Sequence, residues 1–305
     1  MISRTDVEAA RLRVGSRVRT TPVFEADGLW LKLEQLQHTG SFKARGAFNR
    51  VLAAVEHGGL PPAGVVAASG GNAGLAVAHV ARELGTPAEV YVPETAPAVK
   101  VARLRALGAS VRQVGREYAE AYEAATKRAA DSGALFCHPY DQPEVCAGQG
   151  TLALELEEQT GGVDTVLVAV GGGGLMAGIA AALEGRARVV AVEPEGCPSF
   201  HAALAAGKPV DAEVSGVAAD SLGARRTGEI PFAVAHRTGV TSLLVGDEDV
   251  IAARRALWER HRIAIEHGTA AAYAALLTGA YEPTEGERVA IICCGANTDP
   301  SDLAH

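Results

Sequence analysis

Lys43 is the residue whose neighbours give it the best chance of doing chemistry in this 305-residue chain. It follows Thr39-Gly40-Ser41-Phe42, and Thr, Gly and Ser are turn and helix-cap types. The pattern Phe42, Phe48, Val51, Leu52, Val55 then starts at helical spacing, which predicts Lys43 in the first turn of a helix. A cation there opposes the helix dipole. Two readings follow. One is a solvated lysine with no role; the other is a lysine of lowered pKa, bonded as a Schiff base to a carbonyl cofactor. Of the five lysines, Lys32, Lys43, Lys100, Lys127 and Lys208, only Lys43 lies in a Thr-Gly-Ser loop that opens a helix.

Two glycine loops could serve such a lysine. Ser69-Gly70-Gly71-Asn72-Ala73-Gly74 follows an apolar run and precedes a helical pattern. Its glycines let the backbone approach a ligand, and its first-turn amides point at an anion; a tight turn with no ligand is the alternative. Gly171-Gly172-Gly173-Gly174 likewise joins a strand pattern, Val168-Ala169-Val170, to a helical one. Four glycines are entropically expensive, and their use would be a nest of amides around a phosphate. No Gly-Lys-Ser/Thr follows, so this is no Walker loop. Glu193 is the nearest acidic residue for a dinucleotide fingerprint, which leaves a nucleotide site as an alternative. Cys293 and Cys294 end the last predicted strand, at the strand edge where α/β sites lie; a buried structural thiol is the other reading, favoured for Cys293.

The elements that must position these residues alternate strand and helix throughout. Strands are predicted at 29–33, 64–68, 88–92, 111–114, 135–138, 165–170, 189–192, 240–245 and 289–293. Helices are predicted at 3–18, from Lys43, and at 75–84, 98–107, 118–130, 175–183, 247–261 and 270–277, with 195–230 read as loop and short helices. That alternation means α/β with parallel sheets on right-handed crossovers. Pattern alone reads as a single doubly wound domain. Hydrophobic residues make up 48% and charged ones 21%, an ordinary globular balance. A net charge of −8 argues against a general nucleic-acid surface. No apolar stretch is long and uncharged enough to span a membrane, and Met1-Ile2-Ser3-Arg4 lacks an apolar signal region, so a cytoplasmic location is expected. Five cysteines with no CxxC suggest neither disulfides nor zinc. The histidines near the loops, His38, His138, His201 and His267, read as hydrogen-bonded structural groups.

Glu34 through Ala47, with Lys43 at its centre, resembles the cofactor-lysine segment of the pyridoxal-phosphate serine/threonine dehydratases, the fold type II (tryptophan synthase β-like) family. The resemblance runs from Leu33 to Asn297 and includes Asp141 to Thr151 and Glu266 to Ala270. It implies two α/β domains, each with a mostly parallel sheet flanked by helices: a small one at 34–134 and a large one made of 1–33 and 135–305, with the cofactor between them. It implies Lys43 as the Schiff-base lysine and catalytic base, and Phe42 against the cofactor ring. Ser69, Gly70, Gly71, Asn72 and Ala73 would hold the substrate carboxylate, with Ser69 facing the substrate and Asn72 on the cofactor 3′-hydroxyl. Gly171, Gly172, Gly173 and Gly174 would cup the phosphate, and Cys294 would face the pyridine nitrogen. Ala73 stands where many threonine dehydratases carry His and mammalian-type serine dehydratases carry Ala. Glu193, Cys197 and Ser199 match a monovalent-cation loop, and one carboxylate among neutral oxygens suits K⁺.

The function implied is L-serine/L-threonine ammonia-lyase activity, releasing a 2-oxo acid and ammonia, in a homodimer acting on a small hydroxy amino acid. A serine racemase, a hydroxyaspartate or aryl-serine dehydratase, and a silent cofactor-binding sensor are the alternatives. Gly70 stands where the racemases have a second serine. Arg225 and Arg226 depart from the serine dehydratase pattern and could bind a second carboxylate or simply be solvated.

Overall fold

The computed structural model describes residues 1–303. Its strands are β1 Val23–Ala26, β2 Leu29–Lys32, β3 Val65–Ala68, β4 Ala88–Val92, β5 Ser110–Gln113, β6 Leu135–Phe136, β7 Thr165–Ala169, β8 Arg188–Pro194, β9 Thr241–Val245 and β10 Val289–Ile292. The helices are α1 Arg4–Val14, α2 Lys43–Glu56, α3 Asn72–Glu83, α4 Ala98–Ala106, α5 Tyr118–Ser132, α6 Pro143–Thr160, α7 Gly174–Ala182, α8 Ser199–Ala206, α9 Ala219–Leu222, α10 Glu229–Thr238, α11 Asp247–His261 and α12 His267–Leu277.

The strands form two sheets, not the single doubly wound one that alternation alone suggests. One has six strands in the order β1-β2-β10-β7-β8-β9, the other four in the order β5-β4-β3-β6. Every pairing is parallel except the β1–β2 hairpin at the edge of the larger sheet. The central strands Val65–Ala68, Thr165–Ala169 and Val289–Ile292 are buried along their whole length. Parallel strands covered by helices on both faces must be apolar throughout, which is why these runs stand out in the sequence. Leu135 and Phe136 pair with Val65 and Val66, so the four-stranded sheet reaches past residue 134. One apolar core packs around the larger sheet and two flank the smaller.

Helix α6 is absent from the sequence-based expectation. Gly148 and Gly150 in its interior disguise it, since glycine is a poor helix former. Close packing explains them. A Cβ on Gly148 would lie 2.7 Å from the Arg45 carbonyl oxygen of α2, and one on Gly150 would lie 2.5 Å from the Gly178 carbonyl oxygen of α7. The reciprocal positions, Gly46 and Gly178, are equally tight against α6. Backbone contact through these four glycines locks the lysine helix and the tetraglycine helix onto one central helix, fixing the distance between their N-termini.

A buried ionic cluster braces the same junction. Lys32, Glu34 and Arg45 are 0% exposed and Glu155 is 8% exposed. Arg45 donates to both Glu34 oxygens at 2.7 and 2.8 Å and to both Glu155 oxygens at 2.6 and 2.8 Å. Lys32 adds a bond of 2.8 Å to Glu155. Two cations and two carboxylates thus tie β2, the turn after it, α2 and α6 together, two residues from Lys43.

Candidate active site

The candidate residues lie where strands of both sheets end. Ser69 follows β3, Gly171 follows Val170 at the end of β7, and Cys294 follows β10. This is the carboxyl edge at which parallel α/β sheets carry their sites.

Lys43 opens α2, with Phe42 as the capping residue and no side-chain cap. The Phe42 amide donates to the Cys294 carbonyl at 3.0 Å, which pins the lysine turn to the end of β10. The Lys43 Nζ lies 4.9 Å from the Phe42 ring centroid and donates to the Pro139 carbonyl at 2.7 Å. Burial pushes its pKa down to about 8, more than the nearby Cys294, Cys146 and Glu266 raise it. The amine is therefore close to balance between its charged and nucleophilic forms near neutral pH.

Cys294 is buried, and its Sγ lies 3.1 Å from the Thr269 hydroxyl. Burial pushes its pKa up to about 12, so the group is a neutral thiol at working pH. Cys293 is a wholly buried thiol in the core.

Asn72, the first residue of α3, is held from both ends. Its Nδ2 donates to Glu266 at 2.9 and 3.1 Å, and its Oδ1 accepts from Asn297 Nδ2 at 2.6 Å. Asn297 also bonds the Thr39 carbonyl at 2.7 Å, and its amide donates to Glu266 at 2.8 Å. These contacts join the asparagine loop, the lysine turn and the segments beside α12 and β10. Burial raises the Glu266 pKa against those hydrogen bonds. The Ser69 hydroxyl accepts from the Gly71 amide at 3.2 Å, and Gly70 is partly exposed. Asn72, Ala73 and Gly74 present first-turn amides that find no acceptor among the described residues.

The tetraglycine loop presents more of them. No amide from Gly171 through Met176 has an acceptor among the described residues. Gly173 sits at φ 90°, a left-handed conformation that L side chains rarely adopt. A Cβ on Gly172 would come within 2.3 Å of the Tyr140 ring. Six unmet amides at a helix N-terminus, in a cradle too tight for side chains, fit a phosphate group.

Glu193 is buried at the end of β8, and its carboxylate accepts the Phe200 and His201 amides at 2.8 and 2.7 Å. Burial pushes its pKa up to about 8, and no cationic side chain pairs with it among the described residues. Ser199 reaches the Gly171 carbonyl at 3.2 Å, so this loop touches the tetraglycine loop. The Cys197 thiol is turned to the Ser215 carbonyl at 3.4 Å. Among the described residues no three His, Cys, Asp or Glu side chains converge as a metal site. Arg226 pairs with Asp211 and Glu229 at 3.5 and 3.4 Å, and Arg225 is exposed.

Sequence reasoning did not single out Tyr140, Thr269 or the roles of Glu266 and Asn297. The segments of Thr269, Glu266 and Asn297 were visible and that of Tyr140 was not, and nothing in the chain order says that Glu266 and Asn297 meet Asn72. His138 is a structural acceptor, taking the amides of Tyr140 and Asp141 at 3.2 and 2.8 Å.

Comparison with known proteins shows the family. Residues 15–295 match the pattern of the family described as pyridoxal-phosphate dependent enzyme. The phenylserine dehydratase of Ralstonia pickettii is 36% identical, over 98% of this chain and 94% of its own. The L-threonine ammonia-lyase of Thermotoga maritima is 35% identical over 98% of this chain and 76% of its own. The crystal structure of the serine racemase from Dictyostelium discoideum superposes with a TM-score of 0.89 at 32% identity, covering 98% of this chain and 99% of that one. The chain thus belongs to the pyridoxal-phosphate dependent enzymes of fold type II, in the dehydratase family, and is a pyridoxal-phosphate dependent lyase.

Proposed function

We propose that this enzyme removes water from a 3-hydroxy amino acid of the L-serine/L-threonine type and releases a 2-oxo acid and ammonia. The observation that carries this reading is Lys43, which opens α2, holds its amine on the Pro139 carbonyl and has its turn pinned to the end of β10 through the Phe42 amide and the Cys294 carbonyl. Lys43 Nζ would bond the cofactor's carbonyl carbon, and the amides of Gly171 through Met176 would hold its phosphate. Cys294 would face its ring nitrogen, and Asn72, oriented by Glu266 and Asn297, its hydroxyl. When bound, the cofactor supplies an electron sink for the substrate's α-carbon.

The chain's residues do the rest. The loop Ser69-Gly70-Gly71-Asn72-Ala73 takes the substrate carboxylate on its amides. Lys43 accepts the α-proton as general base. The β-carbon–oxygen bond then breaks, and the hydroxyl leaves with a proton as water. The released enamine takes up one water and gives the 2-oxo acid and ammonia, with no net redox change. Cys294, as a neutral thiol, would leave the ring nitrogen of a bound cofactor weakly protonated, which would favour elimination over transamination. The test is release of 2-oxo acid and ammonia in equal amounts from a panel of hydroxy amino acids. Cofactor binding with silence across the panel would point instead to a sensor.

Racemisation needs an acid–base group on each face of the α-carbon. Lys43 serves one, and Gly70 has no side chain to serve the other. A Cβ there would make only ordinary contacts, 3.5 Å from Val92 Cγ1 and 4.0 Å from Lys100 Cδ. Gly70→Ser therefore fits, and it is expected to raise the ratio of racemisation to elimination about tenfold. Chiral chromatography of residual serine, beside the 2-oxo acid yield, reads this ratio. D-Serine formed by the unmodified enzyme as fast as pyruvate would reassign it as a racemase.

The Glu193 loop is the proposed K⁺ site, with neutral oxygens of the Cys197 and Ser199 segment completing it. A buried carboxylate with no cationic partner is costly to ionise, and a bound cation removes that cost. Potassium at pH 8.5 is expected to raise the melting temperature by several degrees relative to lithium. Glu193→Gln should abolish the difference, and should be the more stable protein when potassium is absent. Equal potassium responses in the two proteins would place the ion elsewhere.

A further inference from the structure

We propose that the stacked imidazoles of His38 and His79 form a proton-sensitive joint that holds the lysine turn against helix α3, and that acidification opens the joint and weakens cofactor binding. This rests on the cofactor placement proposed above and adds a control on it.

The joint is built on a strained turn. His38-Thr39-Gly40 runs directly into Ser41-Phe42-Lys43. Thr39 has φ 62° and ψ 13°, a left-handed conformation that a β-branched residue rarely adopts. Its hydroxyl and that of Ser41 are buried without a partner among the described residues. A turn of this kind persists where its surroundings hold it in place. Two contacts with α3 do so. At the start of α3, the Asn297 side-chain amide donates to Asn72 Oδ1 and to the Thr39 carbonyl. About two turns further along, His79 lays its ring on His38, with centroids 4.8 Å apart and planes 30° from parallel. Phe48 of α2 meets both rings edge-on, His79 at 5.8 Å and His38 at 6.5 Å. The pair therefore links the two helices that carry Lys43 and Asn72 at their N-termini.

The surroundings suit neutral rings. His79 is 8% exposed, and Arg82 Nη2 lies 3.4 Å from its Nδ1. A guanidinium can only donate, so Nδ1 is the acceptor and Nε2 carries the hydrogen. That Nε2 is buried without a partner among the described residues. A second proton, on Nδ1, would point at the guanidinium. The other charges acting on the pair are Arg19, from the segment before β1, and Glu83 of α3. Glu83 lies 3.5 Å from Arg82 and is already shared with it. From α2 the facing side chain is the uncharged Phe48 ring. One carboxylate thus faces two arginines before either imidazole is charged. Burial holds both rings below their ordinary 6.5, helped by Arg19 at His38, and by His38, Arg82 and Arg19 at His79. The unfolded chain therefore binds more protons as pH falls below 6.5. The stack contributes its full stability above that value and loses it beneath. Charged rings at this separation repel each other, and the strained turn beside Lys43 loses one of its two holds on α3.

The experiment measures the Kd of pyridoxal phosphate at pH 7.5 and pH 5.5 in the wild type, His79→Phe and His38→Phe, with urea titration of the cofactor-free proteins alongside. Phenylalanine keeps a ring in the stack and takes up no proton. The cofactor's own phosphate titrates in the same range, and its contribution is common to all three proteins. The expected result is a Kd that rises at least about tenfold on acidification in the wild type and less than about threefold in each variant, with far-ultraviolet circular dichroism unchanged. His79→Lys, which brings a fixed charge, should bind weakly already at pH 7.5. Equal weakening in the wild type and a folded phenylalanine variant overturns the proposal and leaves the stack as packing, and so does a wild-type Kd that is the same at both pH values. Absence of cofactor binding at pH 7.5 in all the proteins overturns the cofactor placement instead. The urea titrations then decide the joint by themselves. The wild type should lose stability between pH 7.5 and pH 5.5 while the phenylalanine variants hold theirs, and equal losses overturn the joint.

Discussion

Lys43→Met is expected to lower kcat/KM by at least about 1000-fold, as loss of the proposed general base and covalent anchor implies, and to make the cofactor-free chain more stable. The activity loss follows from the position of Nζ, beside the Pro139 carbonyl and the Phe42 ring. The stability gain follows from its burial. The folded pKa is about 8 and the ordinary value 10.5. Below pH 8 the lysine is charged in both states, so folding bears the full desolvation cost. Above 10.5 it is neutral in both, and the cost vanishes. The unfolded state binds more protons across the interval, so wild-type stability rises as pH climbs from about 8 to 10.5. Methionine, which is apolar and similar in length, removes that slope and is more stable at pH 7. Urea titrations of the cofactor-free proteins at pH 7 and pH 10 measure it. The visible absorbance band should vanish in the variant, and borohydride should fix no cofactor to it. A variant that is less stable at pH 7 and keeps the band would show that Lys43 is an ordinary packed side chain.

The parts of this site that one local stretch encodes were legible in the sequence. Lys43 was visible because a Thr-Gly-Ser turn and an apolar period agree on where its helix begins. The tetraglycine was visible because four glycines have few other uses. The strand Ala88–Val92 and the helix Asp247–His261 matched residue for residue, the first a short apolar run between turns and the second opened by three acidic residues. What was hidden was set by tertiary contact. The interior glycines of α6 make sense only against Arg45 and Gly178. Strand β1 is an edge with Phe24 and Glu25 both exposed, so burial left no apolar run to read. Helix α10, which begins at the end of the irregular stretch, was not predicted because its start depends on Asp141, far away in sequence, which accepts the Glu229 and Ile230 amides. The division into two sheets was likewise invisible to alternation, since β6 must bypass β7 and return to β3. Only the family resemblance implied two.

The buried cluster behind the lysine turn gives the second large expected effect. Arg45→Met should destabilise the chain by about 3–5 kcal/mol, the usual result of removing one partner from a buried ion pair. Arg45 engages every oxygen of Glu34 and Glu155, and among the described residues those carboxylates have only Lys32 and Thr21 besides. Without the guanidinium, four buried groups carrying no net charge become three carrying one negative charge. That excess, more than the lost hydrogen bonds, sets the size of the effect. Restoring the balance is therefore the decisive comparison. Arg45→Met combined with Glu34→Gln leaves Lys32 and Glu155 as a neutral pair, and it should recover at least half of the loss despite a second substitution. The cluster also predicts an acid limb. Glu155 is held below its ordinary value by Arg45 and Lys32 against desolvation, so its contribution is present above the unfolded carboxylate pKa and fades as pH falls through the lower folded value. Because Arg45 sits two residues beyond Lys43, the loosened variant should also show a weaker visible cofactor band before global unfolding. Urea titration of the three proteins from pH 7 to pH 3, followed by circular dichroism and by that band, reads both effects. If the double variant is as unstable as the single one, the cluster works through hydrogen bonds and shape, not charge balance.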